Sequence, residues 1–156
     1  MRIRIGLGHD IHKLRSGGKL VLGGVVVSEE MSAIAHSDGD VVLHALTDAL
    51  LGAIGAGDIG DLFPPSDERW RDAESRVFVE EALRRVREAG YTVANADCMI
   101  HAERPKLYPF KAAIRDAIGG MLDAPVNVKA GTNEGLDAIG RGEAIAAQVV
   151  VLLESA

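Results

Sequence analysis

The fold turns on the stretch His36-Ser37-Asp38-Gly39-Asp40-Val41-Val42-Leu43-His44-Ala45-Leu46-Thr47-Asp48-Ala49-Leu50. It begins polar and becomes a helix. Leu43, Leu46, Ala49 and Leu50 recur at helical spacing, so one face is apolar. Ser37, with Asp40 three residues later, reads as a variant capping box, and acids suit the positive end of a helix. His44 lies one turn inside, and Asp48 one turn further, stacked at i and i+4. Two uses fit that pair. His44 can ligate a metal while Asp48 orients its second ring nitrogen. Alternatively the two form a solvated ion pair, the commoner meaning of such a pair taken alone.

Working back to the N-terminus, Ile3, Ile5 and Leu7 alternate with Arg2, Arg4 and Gly6, which predicts a half-buried strand. It leads into Gly8-His9-Asp10-Ile11-His12. If the chain stays extended, Asp10 and His12 point to one side. Asp-x-His alone arises by chance. With His44 as a third leg it gives three protein ligands and one open position, as in a catalytic zinc site. Gly6-Leu7-Gly8 lacks the third glycine of a dinucleotide fingerprint. Gly17-Gly18-Lys19 lacks the spacing and the following Ser or Thr of a phosphate loop. Residues 15–19 read as a turn, Leu20 to Val27 as a short hairpin, and Ser28 to Ser32 as a surface loop.

Beyond the central helix, Gly55 to Asp67 is rich in glycine and proline and reads as a loop. In it Asp58 can accept from sugar or polyol hydroxyls, or, with Asp61, simply close turns. The segment to Trp70-Arg71 reads as mobile and able to cover a ligand. Glu74 to Ala89 is an amphipathic helix whose stripe of Phe78, Ala82 and Val86 is core and whose charges are solvated; Gly90 ends it. Tyr91 to Ala102 is a strand with His101 at its exposed end. Ala102-Glu103-Arg104-Pro105-Lys106-Leu107-Tyr108-Pro109 follows. Its backbone can meet the edge of a base and Lys106 can reach a phosphate, or it is an ordinary connection to a helix over Tyr108 to Leu122. Val126 to Ala130 is a strand running into Gly131-Thr132-Asn133-Glu134-Gly135. There Thr132 can donate to a phosphate and Glu134 can coordinate a hard cation, or the segment is a turn with a cap. Gly140-Arg141-Gly142-Glu143 is a tight turn bearing an ion pair or an anion-binding arginine. Ala144 to Leu153 is a strongly apolar strand expected to be covered on both faces.

These elements predict one α/β domain over residues 1–156, with a sheet of about four main strands backed by helices. The 156 residues suffice for a real core, and a net charge of −6 argues against a nucleic-acid partner. An anionic substrate must therefore find its cations locally. The single cysteine, Cys98, excludes an internal disulfide and reads as a buried, inert thiol. The N-terminal residues are too short and too alternating for a signal peptide, and no run reaches membrane length, so a cytoplasmic protein is expected.

With these residues assembled, the chain resembles the 2-C-methyl-D-erythritol 2,4-cyclodiphosphate synthase family from end to end. The likeness is carried by Gly8-His9-Asp10-Ile11-His12, by Ala35 through Ala49, and by Gly57-Asp58-Ile59-Gly60 with Leu62-Phe63-Pro64. It continues in Pro105-Lys106, Asn127-Val128-Lys129-Ala130 with Thr132 and Glu134, and Gly140-Arg141-Gly142-Glu143. The resemblance implies conversion of 4-diphosphocytidyl-2-C-methyl-D-erythritol 2-phosphate to the cyclic diphosphate with release of CMP, a step of non-mevalonate isoprenoid synthesis. It implies zinc on Asp10, His12 and His44, and magnesium or manganese at Glu134. His36 and Thr132 become transition-state stabilisers. Ser37, Asp58, Ile59, Gly60, Phe63, Asp67, Gly131, Asn133 and Arg141 become substrate-contacting residues. Ala102, Pro105, Lys106, Leu107 and Tyr108 become the cytosine loop. It further implies a homotrimer with its sheets facing the three-fold axis and active sites between subunits.

The chain departs from the family pattern at Pro65, where an acid is common, and at Asp137-Ala138-Ile139, where Gly-Phe-Thr is commoner. Ala138 thus replaces an aromatic that lines the trimer's central cavity in some members. His9 falls at a variable position and is assigned no role. Two other functions compete: a non-catalytic trimer that binds metal and cytidine nucleotide, and a general zinc phosphohydrolase.

Overall fold

In the computed structural model, which describes residues 1–156, the chain runs β1 (Ile3–Ser16), β2 (Leu20–Leu22), β3 (Val25–Ser28), β4 (Met31–Ala33), α1 (Val41–Ala53), α2 (Ile59–Leu62), α3 (Arg76–Glu88), β5 (Tyr91–His101), α4 (Lys111–Leu122), β6 (Val126–Gly131), α5 (Asp137–Gly140) and β7 (Ala144–Ser155). Five strands form one sheet in the order β4-β1-β7-β5-β6, and β2 and β3 make a separate hairpin. Only β5 and β6 are parallel, joined by a crossover through α4. The long β1–β7 ladder runs from Ile3 opposite Glu154 to Lys13 opposite Ala144.

The sheet has five strands where about four main strands were expected. The difference is β4, which lies partly in the expected surface loop at 28–32. Ser32 pairs with Arg15 and Met31 with Ser16, so Arg15 and Ser16, expected in a turn, are still strand. Three residues suffice because β4 sits at the edge and needs a partner on one side only.

The central helix packs where its sequence indicates. Leu43, Leu46 and Leu50 are buried and join the main core, each side chain contributing about 1.5–3 kcal/mol of transfer free energy. Its N-cap is Asp40, not Ser37: the Asp40 carboxylate accepts from Leu43 N at 3.0 Å. It also accepts from Gly23 N (2.9 Å) and Gly24 N (2.7 Å), tying the β2–β3 turn to the helix. In Asp40→Asn, at least one of these N–H groups faces an amide donor instead of an acceptor. The expected cost is about 1–3 kcal/mol, read as a melting temperature lowered by roughly 2–12 °C.

Burial pushes the Asp40 carboxyl from 3.8 up to about 6, against the pull of those N–H donors and with a small push from Asp38. Between about 4 and 6 the folded chain therefore holds a proton that the unfolded chain has released. This group's contribution to stability falls as pH rises through that window. A melting series across it carries the slope in the wild type and lacks it in the Asn variant.

The faces of β1 are the reverse of the expectation. Gly6 and Gly8 are buried against α1, while Ile3, Ile5 and Leu7 are 55%, 72% and 65% exposed. A Cβ on Gly6 would lie 1.8 Å from the Ala49 carbonyl oxygen, and one on Gly8 1.7 Å from that of Ala45. The helix lies so close to the strand that only glycine fits. The same side faces inward on β7, where Val149, Val151 and Leu153 are fully buried; Val150, on the other side, is 40% exposed. Thus β7 is covered on both faces over Ala144–Ala147, where Ala144 and Ala146 pack against Ile139, and on one face only from Gln148 onward. Cys98 is buried on β5 on the covered side, and burial pushes its thiol up to about 12, so it is inert as expected.

Candidate active site

Asp10 and His12 alternate with Ile11 on β1, so both side chains point to the covered side, as Gly6 and Gly8 do. His44 occupies the first turns of α1, which the two glycines let sink onto the strand. The three side chains converge. Asp10 Oδ2 is 3.1 Å from His12 Nε2 and 3.0 Å from His44 Nδ1, and the two nitrogens are 3.2 Å apart. A tetrahedral ion with bonds of about 2.0–2.1 Å places its ligand atoms roughly 3.3 Å from one another. One carboxylate and two imidazoles at these separations fit a zinc-like cation with one position open. Burial alone would raise the Asp10 carboxyl, but hydrogen bonding and charge from His12 and His44 hold it well below the usual carboxylate range.

The triad forms one wall of a cleft of about 250 Å³ shared with His36, Ser37, Ile59, Gly60 and Phe63. Pro65 lies at the same cleft, so the departure from the family pattern falls on its wall. Phe63, Trp70 and Phe78 build an aromatic side, with Phe63 4.5 Å from Phe78 and 5.0 Å from Trp70 between ring centroids. His36 Nε2 lies 3.2 Å from the Asp67 carbonyl oxygen. The Asp67 carboxylate is gripped by Arg69, whose hydrogen bonds keep it below its ordinary range. Asp58 lies beside the cleft. It forms a reciprocal capping box with Asp61 on α2, the turn-closing role open to it from the sequence.

Asp48 does not reach His44's second nitrogen. It accepts from Ile59 N at 2.7 Å, anchoring the loop that carries Ile59 and Gly60. Burial raises its carboxyl, opposed by that hydrogen bond. His44 Nε2 faces Ser75 Oγ at 2.8 Å and Ser37 Oγ at 3.0 Å instead. Ser75, Asp38 beside it, and Phe78 in the cleft wall were not singled out in the sequence. Ser75 falls inside the stretch read as the Glu74–Ala89 helix, and Phe78 sits in an apolar stripe that reads as core.

Seven of the remaining predicted residues line a second cleft, which Asn133, Glu134 and Arg141 do not. Ala102, Pro105, Lys106, Leu107, Tyr108, Gly131 and Thr132 line about 280 Å³ at the ends of β5 and β6. The Arg104–Pro105 peptide is cis. Glu103 accepts from Gly135 N at 3.1 Å and so joins the loop to the turn after β6. On that turn Glu134 N donates to Thr132 Oγ1 at 3.2 Å, and Asn133 Nδ2 donates to Asp137. Arg141 belongs to neither cleft: it pairs with Glu143 at 2.9 Å in a separate cavity with Lys13, Arg15 and Arg104. The first two clefts do not merge within one chain. His12 abuts Ile145, Ala146 abuts His101, and His101 abuts Gly131. Three interstrand steps of about 4.8 Å put Gly131 roughly 14 Å from His12.

Comparison with known proteins adds identity to this geometry. The sequence profile of the YgbB family matches residues 3–154. A curated relative from Treponema denticola, named 2-C-methyl-D-erythritol 2,4-cyclodiphosphate synthase, is 49% identical over 154 residues, covering 97% of this chain and 96% of its own. The CDP-bound form of a solved 2C-methyl-D-erythritol-2,4-cyclodiphosphate synthase superposes with a TM-score of 0.89 at 43% identity, over 97% of this chain and 100% of that one. The bifunctional IspDF from Campylobacter jejuni superposes with a TM-score of 0.95 at 42% identity; the match takes in 99% of this chain and 43% of that longer one.

Proposed function

This chain belongs to the YgbB family of 2-C-methyl-D-erythritol 2,4-cyclodiphosphate synthases, and on that premise we propose how its residues divide the reaction. The substrate is 4-diphosphocytidyl-2-C-methyl-D-erythritol 2-phosphate. An oxygen of the 2-phosphate attacks the β-phosphorus, the bond from that phosphorus to the bridging oxygen breaks, and CMP leaves with that oxygen. The enzyme is then a phosphorus–oxygen lyase, with residues 1–156 as one synthase domain. The observation that carries the reading is the convergence of Asp10, His12 and His44 within 3.0–3.2 Å in the wall of a cleft.

Zinc on these three residues, one ion per subunit, with magnesium or manganese beside Glu134, would supply neutralisation of the diphosphate and hold it in line for attack. The protein's own groups do the rest. His36 and Thr132 present donors to phosphoryl oxygens whose charge grows in the transition state. Ser37 is assigned to a phosphate contact; Arg141, which lies in neither cleft of one chain, keeps the substrate-contacting role that the family resemblance implies. Ile59, Gly60 and Phe63 enclose the methylerythritol, with Asp58 and Asp67 receiving hydroxyls. Ala102, Pro105, Lys106, Leu107 and Tyr108 receive cytosine, with Gly131 and Asn133 alongside. Fixing both ends of one molecule makes the attack intramolecular, worth about 7–11 kcal/mol when alignment is good.

Two features support the homotrimer that the family resemblance implies. The clefts lie apart within one chain, so a complete site needs one subunit's triad against a neighbour's nucleotide loop. The uncovered sheet face carries Ile3, Ile5, Leu7, Ile11 and Val150, an apolar surface suited to packing about a three-fold axis. No helix is long and apolar enough to cross a membrane; the cytoplasmic location expected from the sequence is kept in this reading.

The test is a product assay with the cytidine substrate and magnesium, before and after removal of metal by a chelator. Cyclic diphosphate and CMP in equal amounts, lost on chelation and restored by zinc, are expected. Tight CDP binding without CMP release would support a non-catalytic binding protein, and inorganic phosphate or a linear product a phosphohydrolase.

A further inference from the structure

We propose that Ser75 and Asp38 are positioning residues for His44, fixing which of its ring nitrogens bears the proton; the inference rests on reading Asp10, His12 and His44 as a metal site. Ser75 directly precedes α3, where a serine hydroxyl ordinarily accepts an N–H from the first turn. This one makes no such bond, although the residue is wholly buried. Its hydroxyl lies between Asp38 Oδ1, to which it makes a short hydrogen bond, and His44 Nε2 at 2.8 Å.

The direction of the chain of bonds follows from counting protons. Asp38 Oδ1 accepts from Asp40 N at 3.1 Å and Oδ2 from Ser75 N at 3.0 Å. Backbone N–H groups only donate, so both carboxylate oxygens are acceptors here. The Ser75 hydroxyl has one proton and gives it to Asp38. What it offers His44 is a lone pair, which requires Nε2 to carry a hydrogen. Ser37 Oγ, 3.0 Å from the same nitrogen, takes Gly39 N–H at 3.4 Å on one lone pair and keeps a second with which it can also accept from Nε2. The Nδ1 lone pair is then free, and it faces Asp10 Oδ2 and His12 Nε2. A ligand histidine oriented through its other nitrogen is a common device. Here a serine–aspartate relay supplies it from the α3 side, in place of Asp48.

The inference is tested by zinc affinity, measured by chelator competition on the wild type, Ser75→Ala and Asp38→Asn, with metal-free melting curves alongside. Ser75→Ala is expected to weaken zinc about tenfold to a hundredfold with little change in the metal-free melt. Asp38→Asn, whose amide must turn its NH₂ toward a donor in either orientation, is expected to weaken it too. Wild-type affinity in Ser75→Ala would overturn the proposal while leaving the metal reading intact. A wild type that binds no zinc would overturn the metal reading and the proposal with it. Should either variant fail to fold, ¹⁵N spectra of the wild-type histidines decide: a protonated Nε2 on His44 supports the relay, and a protonated Nδ1 overturns it.

Discussion

His44→Ala is expected to abolish zinc binding and to lower kcat/KM by at least about a hundredfold to a thousandfold, the several kcal/mol that a metal contributes to a charged phosphoryl transition state. Two ligands remain in the variant. Asp10 and His12 are neighbours on one strand, and without the helix-borne nitrogen they hold a cation from one side only. The fold is expected to survive. Alanine is the best helix former, and His44 lies at the wall of a cleft, where a truncated side chain can be replaced by water. Metal content by elemental analysis, together with CMP release, checks both halves. Full zinc content in the variant would remove His44 from the ligand set. Zinc lost with turnover unchanged would remove the metal from the reaction.

The candidate metal triad was legible in the sequence because its two parts are local patterns: Asp10-x-His12 on an extended strand and His44 inside an amphipathic helix. The uncertain step was whether a strand at the start of the chain meets a helix thirty residues later. Nothing in the spacing states that, and the family likeness supplied it. The second nitrogen of His44 went the other way. The i, i+4 rule brings Asp48 near His44 on the helix surface, but Asp48 is taken by the Ile59 amide. The partner comes from Ser75, distant in sequence, so no local rule could find it.

The faces of β1 were misread for a related reason. Alternation shows that a strand has two unlike faces and does not say which one the helices cover. Ile3, Ile5 and Leu7 suggested the inner face; Gly6 and Gly8 hold it instead. An apolar face left open in one chain is consistent with a partner subunit, which a rule framed for a single domain does not consider. The extra edge strand was missed because three residues carry too little pattern to register.

Those glycines give the second large effect. Gly8→Ala is expected to cost at least about 3 kcal/mol, beyond ordinary overpacking, and so to lower the melting temperature by roughly 6–12 °C or more. A methyl at Gly8 would lie 1.7 Å from the Ala45 carbonyl oxygen and 2.9 Å from the Ala49 amide nitrogen. Both obstacles are helix backbone, so no rotamer change relieves them; α1 must move away from β1. That movement separates His44 from Asp10 and His12, so zinc affinity is expected to fall along with stability although no ligand is altered. Gly52→Ala supplies the contrast. Gly52 is exposed near the end of the same helix, with open space around its added Cβ. There the helical preference of alanine should raise stability by about 0.5–1 kcal/mol and leave the metal site unchanged. Thermal melts and zinc titrations of the two variants check the argument. A Gly8→Ala protein with wild-type melting and wild-type zinc affinity would show that close approach of α1 to β1 does not set the geometry of the site.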